Sequence, residues 1–375
     1  MAGIYIHIPY CSKACTYCDF YFSTNFASKE RFLDCLVKEI VLQKGKLKGS
    51  IIDTIYFGGG TPSVLTKSEL TQVMTALSQN FSIVTNAEIT LEANPENLTE
   101  QYLKELKEVG INRLSIGLQS FKPSELIEMN RSHTVAENNS VIKNALRMGF
   151  NNISIDLIYG TPWANEQEWD ELLDHVLTLD VQHISCYQLT VEEKTLLHHK
   201  IKSGKVAELN DELTEKQFLI LISKLKKAGF VHYEISNFGK PGYFSKHNTS
   251  YWKDIPYLGL GPSAHSYIDN SRFYNIANIH AYCKDIEIEK VPNTEEKLEP
   301  KDIYNDLVLT GLRTVFGVDI RRIEKKLDQS FVNFFQRKAQ PYLEKGVMNC
   351  ENYVYTLKEE SFLFADSISS DLFYI

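Results

Sequence analysis

Along the first half of the chain, short β-rich runs alternate with longer stretches whose apolar positions repeat at helical spacing. Ile4 to Ile8, Ile52 to Phe57, Glu88 to Glu92, Arg113 to Gly117, Ile153 to Ile158 and His183 to Leu189 are the β-rich runs, so six strands are predicted. Between the first two, Phe32, Leu33, Leu36, Val37, Ile40 and Val41 fall on one face of a helix. Thr66 with Glu69, Thr134 with Glu137 and Thr214 with Gln217 have capping-box spacing, in which each side chain satisfies an otherwise unpaired N–H at a helix start. Gly110, Gly149 and Gly229 each close a helical run shortly before a β-rich one, where a left-handed residue stops the helix. A β-α alternation with short turns demands parallel strands and right-handed crossovers. The fold expected is therefore α/β, a partial (β/α)6 barrel too short of strands to close eightfold. An open doubly wound sheet has the same local periodicity and stands as the alternative.

Beyond Val231 the rhythm changes. Tyr233 to Tyr274 is aromatic-rich and broken by Gly239, Pro241, Gly242, Gly259, Gly261 and Pro262, as expected of loops and a strand closing one side of the barrel. From Glu295 a charged segment leads into helices at about Lys301 to Phe316, Ile320 to Leu327 and Phe331 to Lys345, then two short β-like runs, Tyr353 to Leu357 and Ser361 to Ala365. The division expected is a barrel over residues 1–230, a barrel-closing segment over 231–294, and a small helical, winged-helix-like C-terminal domain over 295–375.

The 375 residues are 43% hydrophobic and 23% charged, an ordinary globular composition. A net charge of −8 offers no broad attraction to nucleic acid or anionic membranes. No run approaches the roughly 18 apolar residues of a membrane span, and Met1 to Pro9 lacks a basic leader, so stable membrane insertion and export are not expected. Seven cysteines is an odd number, and three crowd into eight positions, which suits a reducing cytoplasmic compartment better than a disulfide scaffold.

Those three, Cys11, Cys15 and Cys18, form CxxxCxxC immediately after the first strand, where a barrel presents its active-site face. Three thiolates satisfy three irons of a [4Fe-4S] cubane and leave the fourth open to an exchangeable ligand. Structural zinc is the competing reading, but it favours four protein ligands and no nearby Cys or His completes the set. Cys35, Cys186, Cys283 and Cys350 read as small buried hydrophobes.

The cysteine spacing, followed one βα unit later by Tyr56, Phe57, Gly58, Gly59, Gly60, Thr61 and Pro62, resembles the radical S-adenosylmethionine (SAM) superfamily. That resemblance implies that the open iron chelates the methionine end of SAM and that reduction cleaves SAM to a deoxyadenosyl radical. Consecutive glycines let backbone approach a ligand closely enough to accept hydrogen bonds from its ammonium, although a tight turn would use them equally.

The likeness narrows, nearly end to end, to the oxygen-independent coproporphyrinogen III oxidase family. IYIHIPYC at 4–11 places Tyr5 against the SAM methionine, and FGGGTPS at 57–63 carries over Gly59, Gly60 and Thr61 as SAM contacts. Glu92 in LEANPE, Gln119 in GLQSF, Arg131 in EMNRSHT and Asp156 in DLIYGTP follow as further contacts, and Tyr17, inside the cysteine loop, is placed on the cofactor side as well. Carboxylates suit ribose hydroxyls, and an arginine can fork onto a carboxylate; singly, Arg131 would read as a surface ion-pair residue and Asp156 as a strand-end cap.

Two departures disfavour the oxidase. Its cysteine motif continues CxxC-x-C, whereas Cys18 is followed by Asp19 and Phe20, and its N-terminal extension before the tyrosine is not expected here. His247, Asn248, Thr249, Ser250, Tyr251 and Trp252 match the HNxxYW motif of the HemW subfamily of heme chaperones. The resemblance implies a heme chaperone with His247 as a neutral heme ligand, Tyr251 and Trp252 supporting it, and His265 either a second candidate or a core histidine. The partners implied are heme, a heme-acceptor protein and an electron donor for the cluster, with self-association into a homodimer left open. No enzymatic activity is assigned; the alternative is the coproporphyrinogen III decarboxylation itself.

Overall fold

The computed structural model describes residues 1–375. All six expected strands are present: β1 (Ala2–Ile8), β2 (Ile52–Gly59), β3 (Ile83–Ala93), β4 (Arg113–Gln119), β5 (Ile153–Tyr159) and β6 (His183–Gln188). Each pairs in parallel with its sequence neighbour. The crossovers carry α1 (Lys29–Leu42), α2 (Lys67–Asn80), α3 (Glu100–Val109), α4 (Pro123–Glu128), α5 (Val135–Arg147) and α6 (Glu166–Leu177), and β6 is followed by α7 (Leu196–Lys202) and α8 (Asp211–Lys227). The strand order runs from β1 to β6 without reversal. Right-handed crossovers in that order put every helix on one face, which gives a curled single-wound sheet and no doubly wound switch point.

The following segment extends both edges of this sheet. The hairpin β7 (Val231–Glu234) and β8 (Asn237–Gly239) joins β6 antiparallel, and after α9 (Lys246–Trp252) the chain returns to β1 as β9 (Tyr257–Leu260). Antiparallel β10 (His265–Ile268) and β11 (Ser271–Asn275) follow, then α10 (Ile279–Glu287) and β12 (Asn293–Lys297), which crosses the 294/295 boundary expected above. The outermost strands β12 and β7 do not meet, so the barrel stays open.

Alternation along the strands separates two environments. Ile4, Ile6, Ile8, Ile55, Phe57, Leu91, Leu114, Ile116, Ile155, Leu157 and Ile184 are buried in the main hydrophobic core. The intervening residues face the lumen on the opposite side, where Tyr56 bonds Glu92, Ser115 bonds Asp156 and Ser154 bonds His183 across strands, while Tyr5 bonds His7 of its own strand and Thr54 bonds His247. Interior strands of a parallel sheet usually read as continuous apolar runs; a polar second face marks the lumen as a binding space.

Chain ends of helices follow the expected chemistry with one correction. Capping boxes form at Thr66 with Glu69 and at Thr134 with Glu137. Thr214 and Gln217 instead lie one turn inside α8, which starts at Asn210: its side chain accepts from the Leu213 N–H, while Gln217 accepts from the Gly160 N–H. A nearer cap outcompetes the later one.

The C-terminal unit holds α11 (Pro300–Leu312), β13 (Val318–Asp319), α12 (Ile320–Lys326), α13 (Gln329–Glu344), β14 (Met348–Glu351), β15 (Val354–Leu357) and α14 (Ala365–Asp371). Its hairpin is β14 with β15, and Ser361 to Ala365 is a 3-10 turn running into α14, not the second strand expected. Asn352 and Tyr353, at φ 50° and 70°, make the two-residue turn whose twist matches a hairpin. One continuous core of 74 buried residues runs from the barrel through Tyr304, Val308, Phe335 and Met348, so this unit is welded to the barrel.

Candidate functional site: the barrel mouth and its polar lumen

The cysteine loop leaves the C-terminal end of β1 and is tied down on several sides. Backbone bonds from Cys11 N–H to the Ser23 carbonyl (3.1 Å) and from Ser23 N–H to the Pro9 carbonyl (2.8 Å) close its base. Thr16 donates from its N–H to the Met129 carbonyl and accepts at its own carbonyl from Leu197, and Asn130 donates to the Ala14 carbonyl. The loop is therefore held by the end of α4 and the start of α7.

Thr61 donates its hydroxyl to the Cys11 sulfur at 3.3 Å, and an Arg131 Nη donates to the Cys15 sulfur at 3.4 Å. Burial pushes the Cys11 thiol up to about 11, against the Thr61 hydrogen bond, and the Cys18 thiol up to about 12, against a backbone N–H from Phe20. Such thiols hold their protons until a cationic centre compensates the thiolates.

The donor set tests the fit to an iron-sulfur cluster with SAM: Cys11, Cys15 and Cys18 are three free, half-buried thiols on one loop, and a cubane takes one thiolate per iron. Arg131 is fixed by Cys15, by Asn94 Oδ1 at 2.7 Å and by the Gly117 carbonyl at 2.8 Å, yet its Nε is buried without a partner. A buried guanidinium N–H left over beside the cysteine loop suits an acceptor-bearing ligand. The residues present fit the group.

Gly60 shows what the glycine run does structurally. A Cβ there would lie 2.8 Å from the Ile8 and Tyr10 carbonyl oxygens and 2.9 Å from the Tyr10 nitrogen, all backbone of the cysteine strand. Its N–H donates to Ile8 and that of Thr61 to Tyr10. The run thus serves first to seat the cysteine loop against the end of β2, with Gly59 the last residue of that strand.

Further round the mouth, Glu92 accepts from Tyr56 Oη at 2.8 Å, and burial, with the nearby Asp156 charge adding to it, raises its carboxyl to about 7. Asp156 accepts from Ser115 at 3.2 Å and is likewise raised by burial. Gln119 ends β4 in the left-handed region, φ 64°, with Gly117 leaving room for its amide. Tyr17 packs in a separate apolar cluster with Met129, Ile158, Leu189, Leu197 and Val206, and burial raises its hydroxyl. Of these residues, Thr61 and Arg131 touch the cysteines directly and Gly60 packs against Tyr10 beside them, whereas Tyr5, Glu92 and Asp156 are joined to His7, Tyr56 and Ser115 along the lumen wall.

His247 lies elsewhere. It is fully buried at the floor of the barrel, near the N-terminal ends of β1 and β2, with Nδ1 2.8 Å from Thr54 Oγ1 and Nε2 2.8 Å from Tyr251 Oη. Burial, reinforced by the Arg113 charge, lowers its pKa to about 3, so the imidazole is neutral, as a heme ligand must be, but neither ring nitrogen is free in this conformation. Trp252 stacks under Arg313 of the C-terminal unit, 5.5 Å from the ring centre. His265 is exposed on the sheet extension beside Tyr274, not a core residue. Cys35, Cys186 and Cys283 are buried as expected, whereas Cys350 is exposed because it sits on the outer hairpin.

Pattern reading missed the lumen's own polar set: Thr54, Glu88, Arg113, Ser154 and His183. Arg113 is 1% exposed, forms no ion pair, and its Nε lacks a partner, while Glu88 accepts from the N–H groups of Lys246 and His247 and so pins the start of α9. The signal was the polar residue at every second position of strands that should be apolar on both faces.

The radical SAM superfamily model matches residues 5–176 and the HemN C-terminal domain model residues 298–359. The solved structure of coproporphyrinogen III oxidase (HemN) from Escherichia coli superposes with a TM-score of 0.86 at 23% identity, over 99% of this chain and 90% of that one, a likeness of fold. Fold, cysteine mouth and family model together define a radical SAM protein. Heme chaperone HemW of Bacillus subtilis is 34% identical over 95% of both chains, and HemW of Lactococcus lactis 31% identical over 92% of this chain and 90% of that one. The chain belongs to the HemW family within the radical SAM superfamily. No helix is long and apolar enough to cross a membrane.

Proposed function

We propose that the chain is a heme chaperone that binds heme and passes it to an acceptor protein, with a SAM-ligated [4Fe-4S] cluster held by Cys11, Cys15 and Cys18 at the barrel mouth. The observation that carries this reading is the likeness to HemW proteins along nearly the whole chain, combined with an HNxxYW helix set into the barrel. When bound, the cluster would supply a redox centre and an open coordination position. The chain's own residues hold and shape that place: Thr61 and Arg131 donate to thiolate sulfur, Tyr5, Gly59 and Gly60 line the side of β1 and β2, and Glu92, Gln119 and Asp156 supply acceptors and donors around it. Tyr17 closes the far side with apolar contacts.

Heme ligation through His247 requires that its ring leave Thr54 and Tyr251, because both nitrogens are engaged. Supporting groups would be Tyr251 and Trp252 on the same helix. An electron donor for the cluster and self-association belong to the same reading. Cys18 followed by Asp19 and Phe20 lacks the fourth cysteine with which the oxidase motif continues, which favours the chaperone over coproporphyrinogen decarboxylation.

The test is anaerobic reconstitution of the full chain, followed by spectra before and after SAM and heme, with a coproporphyrinogen assay alongside. About one heme retained per chain, weakened in His247→Ala, is expected. Protoporphyrinogen formation at catalytic turnover would overturn the chaperone reading.

A further inference from the structure

The HNxxYW helix and the cofactor mouth share one set of packed rings. Tyr5 stacks on Tyr56 at 6.1 Å between ring centres, His247 stacks on Tyr56 at 5.2 Å and on Tyr5 at 6.4 Å, and Tyr251 meets His247 edge-on at 5.1 Å. Above the stack, Tyr56 donates to Glu92, and Tyr5 Oη lies 3.2 Å from His7 Nδ1. The other nitrogen of His7 lies 3.0 Å from the Tyr21 carbonyl, three residues past Cys18. Below it, Gly3 provides the notch: a Cβ there would lie 2.8 Å from Thr54 Oγ1 and 3.1 Å from two atoms of the His247 ring. Glu88 clamps the first N–H groups of α9, so the ring cannot drift with its helix.

Nothing soft separates the two ends of this column. It spans from Gly3 to His7 along β1, roughly 13 Å at the rise of a strand. Close-packed interiors move between discrete arrangements and do not deform smoothly. A ring withdrawn from beneath Tyr5 and Tyr56 leaves both without their floor, and with them the carboxylate that Tyr56 orients.

We propose that His247 is a positioning residue for the SAM pocket, supporting Tyr5 and the Tyr56–Glu92 pair from below, so that its release for heme ligation and SAM occupancy oppose one another. This rests on reading the barrel mouth as the SAM site. It adds that His247→Ala alone confounds two roles, since the same change removes a heme ligand and the floor of the cofactor pocket. By linkage, whatever factor SAM imposes on heme affinity, heme imposes on SAM affinity.

The test uses variants that leave the imidazole in place. Tyr251→Phe and Thr54→Val each remove one hydroxyl partner of His247, and Thr54→Ser restores the hydroxyl. SAM binding to the reconstituted full chain is measured by equilibrium dialysis, with iron content determined on the same samples. Expected are a SAM affinity weakened about tenfold in Tyr251→Phe and Thr54→Val, as for one lost buried hydrogen bond, wild-type behaviour in Thr54→Ser, and unchanged iron. Heme titration of the wild-type chain should weaken by a similar factor at saturating SAM. SAM affinities within about twofold of wild type in both hydroxyl variants would overturn the inference alone. Iron lost together with SAM would mark these residues as general core supports and overturn it too. Absence of SAM binding by the wild-type chain would overturn the pocket reading and this inference together.

Discussion

Replacing Gly60 with alanine tests whether the glycine run seats the cysteine loop. The added Cβ would stand 2.8 Å, 2.8 Å and 2.9 Å from three backbone atoms of Ile8 and Tyr10. No flexible side-chain end is among them, so the end of β1 with the cysteine loop, or the end of β2, has to move by several tenths of an ångström. Overpacking against fixed backbone costs about 1–3 kcal/mol. The two hydrogen bonds that join the segments, Gly60 N–H to Ile8 and Thr61 N–H to Tyr10, are strained at about 1 kcal/mol each. About 3–5 kcal/mol of local destabilisation follows, directed at the segment that positions Cys11 and its Thr61 donor. The assay is iron and sulfide content after anaerobic reconstitution, with urea unfolding on the same preparations; Gly45→Ala, whose Cβ meets nothing within 4 Å, is the control. Gly60→Ala should take up markedly less iron and unfold at lower urea, while Gly45→Ala matches wild type. A Gly60→Ala protein with full iron and an unshifted urea midpoint would refute the packing argument.

Glu92 has its carboxyl raised to about 7 by burial, so below that pH the group is protonated and accepts poorly. SAM affinity should therefore rise as pH passes through about 7, and Glu92→Gln should flatten that dependence in equilibrium dialysis. For stability the sign is opposite: ionising a carboxyl whose folded pKa lies above the ordinary 4.5 of a glutamate costs the fold progressively between about 4.5 and about 7, by roughly 3 kcal/mol at most, and denaturation midpoints of the cluster-free protein should fall over that window but not in Glu92→Gln. Glu39, fully buried on α1, accepts from Gln43, Asn275, the Gly261 N–H and Tyr282 at 2.7–2.9 Å. Glu39→Ala strands four donors, three of which, Gly261, Asn275 and Tyr282, join α1 to the sheet extension and α10, and urea titration should show a loss of about 3–5 kcal/mol. Cys350 on the outer hairpin should react with a thiol reagent in the native protein while Cys35, Cys186 and Cys283 stay protected, as read by mass spectrometry of labelled peptides.

Local chemistry wrote much of this molecule into its sequence. Six strands, two of three expected capping boxes, the left-handed glycines at positions 110, 149 and 229, and a CxxxCxxC loop after β1 all depend on residues within a few positions of one another, so each was legible as a pattern. Chain order then placed Glu92 and Gln119 at the ends of β3 and β4, while Asp156 lies in the middle of β5, facing the same lumen because side chains alternate along a strand. The sheet extension and the floor were decided otherwise. That β9 returns to β1, that β7 and β8 cover β6, and that His247 inserts between Thr54 and Tyr251 with 193 residues separating it from Thr54, follow from shape and hydrogen-bond satisfaction between distant segments. A histidine in a short polar helix reads the same whether it faces solvent or a notch; only the missing Cβ of Gly3 and two hydroxyls, brought together by folding, place it inside.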